Sequence, residues 1–324
     1  MATTGSFLYL SSADIDALGL TAYGVEPAVS EAYRALGQGR AASVPKVGFS
    51  VTPSTFFHAM PARYDAKGVL GIKWIGTADN SASGLPHINS LILLSDAKTA
   101  VIRAAMDGTQ ITAIRPAAVS LAAARRLARK DSRRIGFIAC GTQALSHLEA
   151  FAKAFPLREV ACYSRRLESA ERFAARVRES GLEARAVADP RQAVEGQDIV
   201  VSSAPRASFP APFLDPAWLS PGAFVSGVDL GRSWQTAELR KLELIATDNR
   251  EQSRNEASQP GILPWQGEWD ADLADLASGS HPGRASDAQR AFFIHPGVGL
   301  GDVAIAVLAT ELAAAQGLGL TLPR

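Results

Sequence analysis

Three features of this 324-residue sequence predict a two-domain α/β fold. The length exceeds one ordinary domain and suits two. The first third carries strand-like runs separated by Gly, Pro, Asn and Asp, the pattern of an antiparallel sheet. From Arg133 onward, strand-like and helix-like segments alternate, which is the pattern of a parallel sheet with helices on both faces.

The bulk numbers fit a folded chain. Hydrophobic residues make up 47% and charged residues 20%. With 33 basic residues against 32 acidic, there is no excess charge to drive nucleic-acid or anionic-membrane binding. The basic stretch from Arg125 to Arg134 reads as the solvated end of a helix. Cys140 and Cys162 are not a CxxC pair and read as buried free thiols. With no secretory leader in view, they lead us to expect a reducing, cytoplasmic compartment. The apolar stretch Val303–Leu312 is too short and too alanine-rich to be expected to span a bilayer.

Taken in order, Ser11 and Asp14 have the spacing of a capping box for a short helix. Val29, Tyr33 and Leu36 recur at helical spacing, predicting a helix over Pro27–Leu36 ended by Gly37. Strands are predicted at Lys46–Val51, Thr55–Ala59, Val69–Ile75, Ile88–Leu94 and Ala100–Met106. A long helix follows at Thr112–Arg129, with Pro116 tolerated only near its first turn. The alternating part comprises strand Ile135–Ala139, helix Gln143–Ala154, strand Glu159–Tyr163 and helix Glu168–Ser180, then strands Arg185–Val187, Asp198–Ser203, Ala223–Val228 and Leu244–Thr247. After a turn containing Gly297, Gly299 and Gly301, the apolar helix Asp302–Gln316 closes the chain and is expected to return to the first domain.

The first strand–turn–helix of the alternating part carries Cys140-Gly141-Thr142-Gln143-Ala144, where a dinucleotide fold puts its glycine-rich turn. Gly141 would let the backbone approach a pyrophosphate, and Ala144 would let the helix approach the strand. The first position of the motif is Ala139 rather than glycine. The helix N-terminus offers N–H groups and a positive dipole end to phosphate. The next strand ends in Tyr163-Ser164-Arg165-Arg166. An NAD site usually has an acidic residue there, whereas arginine suits a 2′-phosphate, so NADP(H) is expected in preference to NAD(H).

Together with that loop, a series of fragments resembles the ornithine cyclodeaminase/μ-crystallin family over nearly the whole chain. They are Met60-Pro61-Ala62, Gly71-Ile72-Lys73, Gly84-Leu85-Pro86, Met106-Asp107-Gly108 and Ile111-Thr112-Ala113-Ile114-Arg115. Gly227-Val228-Asp229, Glu238-Leu239, Asp248, Pro282-Gly283-Arg284, Gly299 and Asp302 continue the series. The resemblance implies a Rossmann-type dinucleotide-binding domain over 119–301. It also implies a smaller, split α+β substrate and dimerisation domain over 1–118, completed by 302–324. A homodimer acting on a small amino or imino acid follows from the same resemblance.

It further implies that Lys73 and Arg115 hold the substrate carboxylate. Arginine grips a carboxylate through two parallel hydrogen bonds, and lysine adds a compact charge. Arg115 stands near a helix start, where the dipole opposes a cation, which points to a bound anion. Asp229 follows the strand Ala223–Val228 and matches the family's acid/base; a turn aspartate is the alternative. The cofactor contacts expected are Thr112, Arg115, Gly141, Thr142, Gln143, Ser164, Arg165, Arg166 and Ser203.

Lys46, where many members carry arginine, and His58 are further substrate-side candidates, although a buried structural role is the favoured reading of His58. Trp74 is another candidate for the cleft. Pro116 replaces the family's usual threonine. No His, Cys and carboxylate set has metal-ligand spacing.

The leading expectation is an NAD(P)H-dependent oxidoreductase that reduces an α-imino acid or interconverts imine and α-amino acid. The alternatives are a cyclodeaminase-type lyase with catalytic NAD and a non-catalytic NADPH-binding protein.

Overall fold

The computed structural model describes residues 5–52, 54–205 and 211–323, which divide into two compact units. The first comprises 1–115 with 297–324 and the second 116–296. Both divisions fall a few residues before the sequence boundaries at 118 and 301.

The first unit holds an eight-stranded sheet. Across it run Leu320–Pro323, Ser6–Leu10, Ile102–Asp107, Ile88–Asp96, Val69–Thr77, Thr55–Tyr64 and Ala41–Ser43. Val47–Thr52 pairs with Thr55–Tyr64 as well. Pairing is antiparallel except that Ser6–Leu10 runs parallel to Ile102–Asp107. The strands expected in this region are present with shifted ends, whereas Ser6–Leu10 and the two edge strands, Ala41–Ser43 and Leu320–Pro323, were not predicted.

The capping box is present, with the Ser11 hydroxyl accepting from the Asp14 N–H. The helix expected at Pro27 starts earlier, at Ala22, because Thr21 Oγ1 accepts the Gly24 N–H and caps it there. Pro27 therefore lies inside the helix, where its missing N–H forfeits one intrahelical bond.

One face of this sheet is covered by helix Gly299–Gln316, which packs on Thr55–Tyr64, Val69–Thr77 and Ile88–Asp96. The helix begins three residues earlier than the sequence suggested, taking in Gly299 and Gly301. Its close approach demands glycine, since a Cβ on Gly299 would stand 2.2 Å from the Met60 carbonyl oxygen. At 18 residues and a mean hydropathy of 1.3 it is long and apolar enough to cross a membrane, contrary to the expectation from Val303–Leu312. Most of it is buried on the sheet, as a core helix is.

The second unit holds an eight-stranded sheet whose pairs are all parallel. Its order is Glu183–Val187, Glu159–Tyr163, Arg134–Ile138, Ile199–Ser202, Phe224–Gly227, Ala291–Ile294, Leu244–Thr247 and Ala271–Asp272. The first five, numbered along the chain, stand in the order 3-2-1-4-5. The direction of winding reverses between Arg134–Ile138 and Ile199–Ser202, and the crevice beyond the carboxyl ends of those strands is where such sheets bind ligands. Ala291–Ile294 is fully buried within the sheet, but as a four-residue run it has no periodicity to announce it.

Helix Thr109–Leu127 carries the division between the units at Arg115/Pro116. It starts earlier than expected because Asp107 Oδ1 accepts the Thr109 N–H at 2.9 Å. Pro116 is thus inside it rather than near its first turn.

Candidate active site

In the first unit, alternation along Val69–Thr77 turns Val69, Gly71 and Lys73 to the covered face and Leu70 and Trp74 outward. Lys73 is fully buried, and a buried ammonium needs a counter-charge. Asp302, in the first turn of Gly299–Gln316, supplies it: Lys73 Nζ donates to Asp302 Oδ1 at 2.7 Å. Arg115 Nε lies 3.6 Å from the same oxygen. Burial pulls the Lys73 ammonium down to about 8 against the opposing pull of Asp302, with Arg115 and Lys46 adding like-charge repulsion. Two bonding groups here remain unused among the described residues: the Arg115 Nε–H and Asp302 Oδ2, both buried.

Met60 is directly opposite Lys73 in the ladder, and His58 lies two residues before it, so His58 shares the covered face. His58 is half-exposed and packs its ring 5.3 Å from that of Phe56, so it is not the buried structural histidine that the sequence favoured. Thr112 Oγ1 lies 3.0 Å from Ser90 Oγ. Trp74 is a correction, because it faces away from Lys73, half-exposed and stacked on Phe57.

Asp302 was absent from the residues assigned a role by sequence. Its signal was an acidic residue at the start of an apolar helix, while its partner lies 229 positions away.

In the second unit the glycine loop stands at the reversal point of the sheet. Ala139, Gly141, Ser164, Arg165, Arg166 and Ser203 line one pocket of about 320 Å³. Ala139 adopts φ 72°, a left-handed conformation that explains why glycine is usual at that position. Gly141 caps helix Thr142–Ala154 without any side-chain cap, and a Cβ there would meet open space. The N–H groups of the helix start are thus left to a ligand. Ser203 closes the crevice from the neighbouring strand, its N–H donating to the Ile138 carbonyl at 3.0 Å.

Thr142 and Gln143 form the first helical turn and do not line this pocket. The donor set therefore fits a phosphate-bearing dinucleotide: backbone N–H groups, hydroxyls and two exposed guanidinium groups.

The thiol of Cys140 is half-buried beside this loop and donates to the Tyr163 carbonyl at 3.4 Å, rather than being enclosed as expected. A hydrogen bond with Cys162, and then burial, push that thiol well above its usual range.

Asp229 is buried at the end of Phe224–Gly227. Its Oδ1 accepts from Ser202 Oγ at 2.9 Å and the Gly231 N–H at 3.2 Å, and its Oδ2 from Ser233 Oγ at 2.5 Å. Trp234 Nε1 donates to Ser202 Oγ at 3.0 Å, extending the chain of bonds. Burial raises the carboxyl above its ordinary value, against these donors.

The family model described as ornithine cyclodeaminase/mu-crystallin family matches residues 9–317. The chain belongs to that family. It is 30% identical over 301 residues to the alanine dehydrogenase of Archaeoglobus fulgidus, covering 90% of this chain and 91% of the relative. An archaeal alanine dehydrogenase dimer with bound NAD aligns at a TM-score of 0.87 and 29% identity, covering 98% of this chain and 99% of that one. The Thermococcus litoralis Δ1-pyrroline-2-carboxylate reductase, solved with NADH and L-proline, aligns at 0.86 and 27% identity over 98% of this chain and 100% of that chain.

Proposed function

We propose that this family member is an NAD(P)H-dependent oxidoreductase that reduces an α-imino acid or interconverts imine and α-amino acid. The Lys73–Asp302–Arg115 cluster carries this reading. Two fixed cations against one carboxylate leave one positive charge over, which is the charge that one substrate carboxylate neutralises. The Arg115 fork takes the carboxylate, with Lys46 reinforcing the field. Lys73 gives its proton to the substrate nitrogen. An ammonium with a pKa near 8 is charged at neutral pH yet close enough to it to part with a proton readily. The bound dinucleotide supplies the hydride.

Gly141, Ser164, Ser203 and the N–H groups at the start of Thr142–Ala154 would hold that cofactor. Arg165 and Arg166 support NADP(H) as the preferred form. The two solved relatives carry NAD and NADH, so this reading of the preference rests on the chain's own arginines alone. The three bonds accepted by Asp229 support a role in holding the turn after its strand.

The outer face of the first sheet supports a homodimer. Val47, Phe49, Val51, Leu70, Trp74 and Leu91 are exposed large hydrophobics, a patch of the kind that marks an association surface. The archaeal relative is itself a dimer.

The test is nicotinamide absorbance with purified protein, NADPH and a panel of cyclic ketimine acids and of 2-oxo acids with ammonia or methylamine. Steady NADPH loss with an imine substrate is the result expected. A protein that binds NADPH and consumes none across the panel contradicts the reading, and ammonia release from ornithine would then identify the lyase.

A further inference from the structure

A carboxylate buried between two cations has accounts to settle, and those of Asp302 do not close. Its side chain has no exposure, and nor does that of Lys73. Oδ1 accepts from Lys73 at 2.7 Å and lies 3.6 Å from Arg115 Nε, too far for a hydrogen bond, while Oδ2 has no donor among the described residues. A buried carboxylate oxygen without a donor is unfavourable, and so is a buried guanidinium N–H without an acceptor. Here the bonding is biased toward Lys73.

We propose that Asp302 is the positioning residue of the reaction, aiming the Lys73 ammonium and balancing its charge so that Lys73, rather than Arg115, is the proton donor to the substrate nitrogen. This rests on the imine-reductase reading above.

The charged and titratable groups facing Lys73 come from several elements. Asp302 comes from helix Gly299–Gln316, Arg115 from helix Thr109–Leu127, and Lys46 from the segment before Val47–Thr52. His58 shares the face from the adjacent strand. Asp302 is the one anion in this set. Removing its charge leaves Lys73 among cations, so the ammonium surrenders its proton at lower pH. Arg115 keeps its own charge throughout.

The experiment is Asp302→Asn, which keeps the shape and an acceptor oxygen but removes the charge. We expect the alkaline limb of kcat/KM for imine reduction, near pH 8 in the parent, to move down by about one unit or more. The loss should be about tenfold at pH 8 and largely recovered at pH 6, with the KM for NADPH unchanged and Asp302→Glu restoring part of the limb.

A second readout does not need turnover. The unfolding free energy of the parent should climb between about pH 8 and 10.5, because the unfolded lysine holds its proton there and the folded one does not. In Asp302→Asn the climb should begin at lower pH. A variant slowed equally at all pH values, with its climb unmoved, would overturn the proposal. If the parent reduces no imine, the functional reading fails, while the unfolding profile still decides the role of Asp302.

Discussion

Two buried polar clusters, one in each unit, follow opposite rules. In the first unit Lys73, Arg115 and Asp302 are charged, and two of their bonding groups go unused among the described residues. In the second unit Ser120 Oγ lies 2.9 Å from His147 Nε2, 3.0 Å from His295 Nε2 and 2.8 Å from Ser226 Oγ. His147 Nδ1 lies 2.7 Å from the Gln143 carbonyl and so must carry a proton. Burial pulls its pKa down to about 4, so the ring is neutral at pH 7 and Nε2 is bare. The single Ser120 proton therefore goes to His147, and His295 and Ser226 donate to the Ser120 oxygen. Every position on that hydroxyl is used. A hydroxyl with every position used fixes one arrangement of the elements it joins, whereas a charged cluster with unused bonding groups leaves capacity for a substrate.

The largest effect expected from breaking this contrast is at Lys73. Lys73→Met should lower kcat/KM for imine reduction by about a hundredfold or more, with NADPH affinity kept. Full turnover in that variant would remove the cluster from the chemistry.

The His147 end of the Ser120 network should show itself in acid. An unfolded histidine takes up a proton near pH 6.5, but His147 in the fold does so only near 4. Its folded pKa is depressed, so the unfolded state binds more protons in that window and stability falls as pH drops through it. The contribution is on the order of 3 kcal/mol. Urea unfolding of the parent and of His147→Gln at pH 7 and pH 5 checks this: the parent should lose stability over the window, and the variant should lose less. The charged cluster acts in the opposite window, gaining stability from about pH 8 to 10.5.

The smallest effect concerns the cofactor. Replacing Arg165 and Arg166 together by Ala should raise the KM for NADPH about tenfold and leave that for NADH nearly unchanged. Equal effects on both would make the two arginines mere surface charge.

Legibility in the sequence followed the range of the interactions. The loop from Cys140 to Ala144 could be read because strand, turn and helix are contiguous there. Lys73 could be read from its apolar neighbours, although Trp74 next to it belongs to the other face. Asp302 and the partners of Ser120 could not, since their bonds join residues 229, 27, 175 and 106 positions apart. Both helices with internal prolines were placed too short at their starts, because Pro27 and Pro116 read as first-turn residues while Thr21 and Asp107 bond the true first turns.

The measurement that tests the central claim most directly follows the hydride. NADPH deuterated at the transferable position would be incubated with the protein and its best imine substrate, and the product analysed by mass spectrometry and NMR. The account predicts one deuterium on the α-carbon for each NADPH consumed. A product formed without label, or without net loss of NADPH, would contradict it.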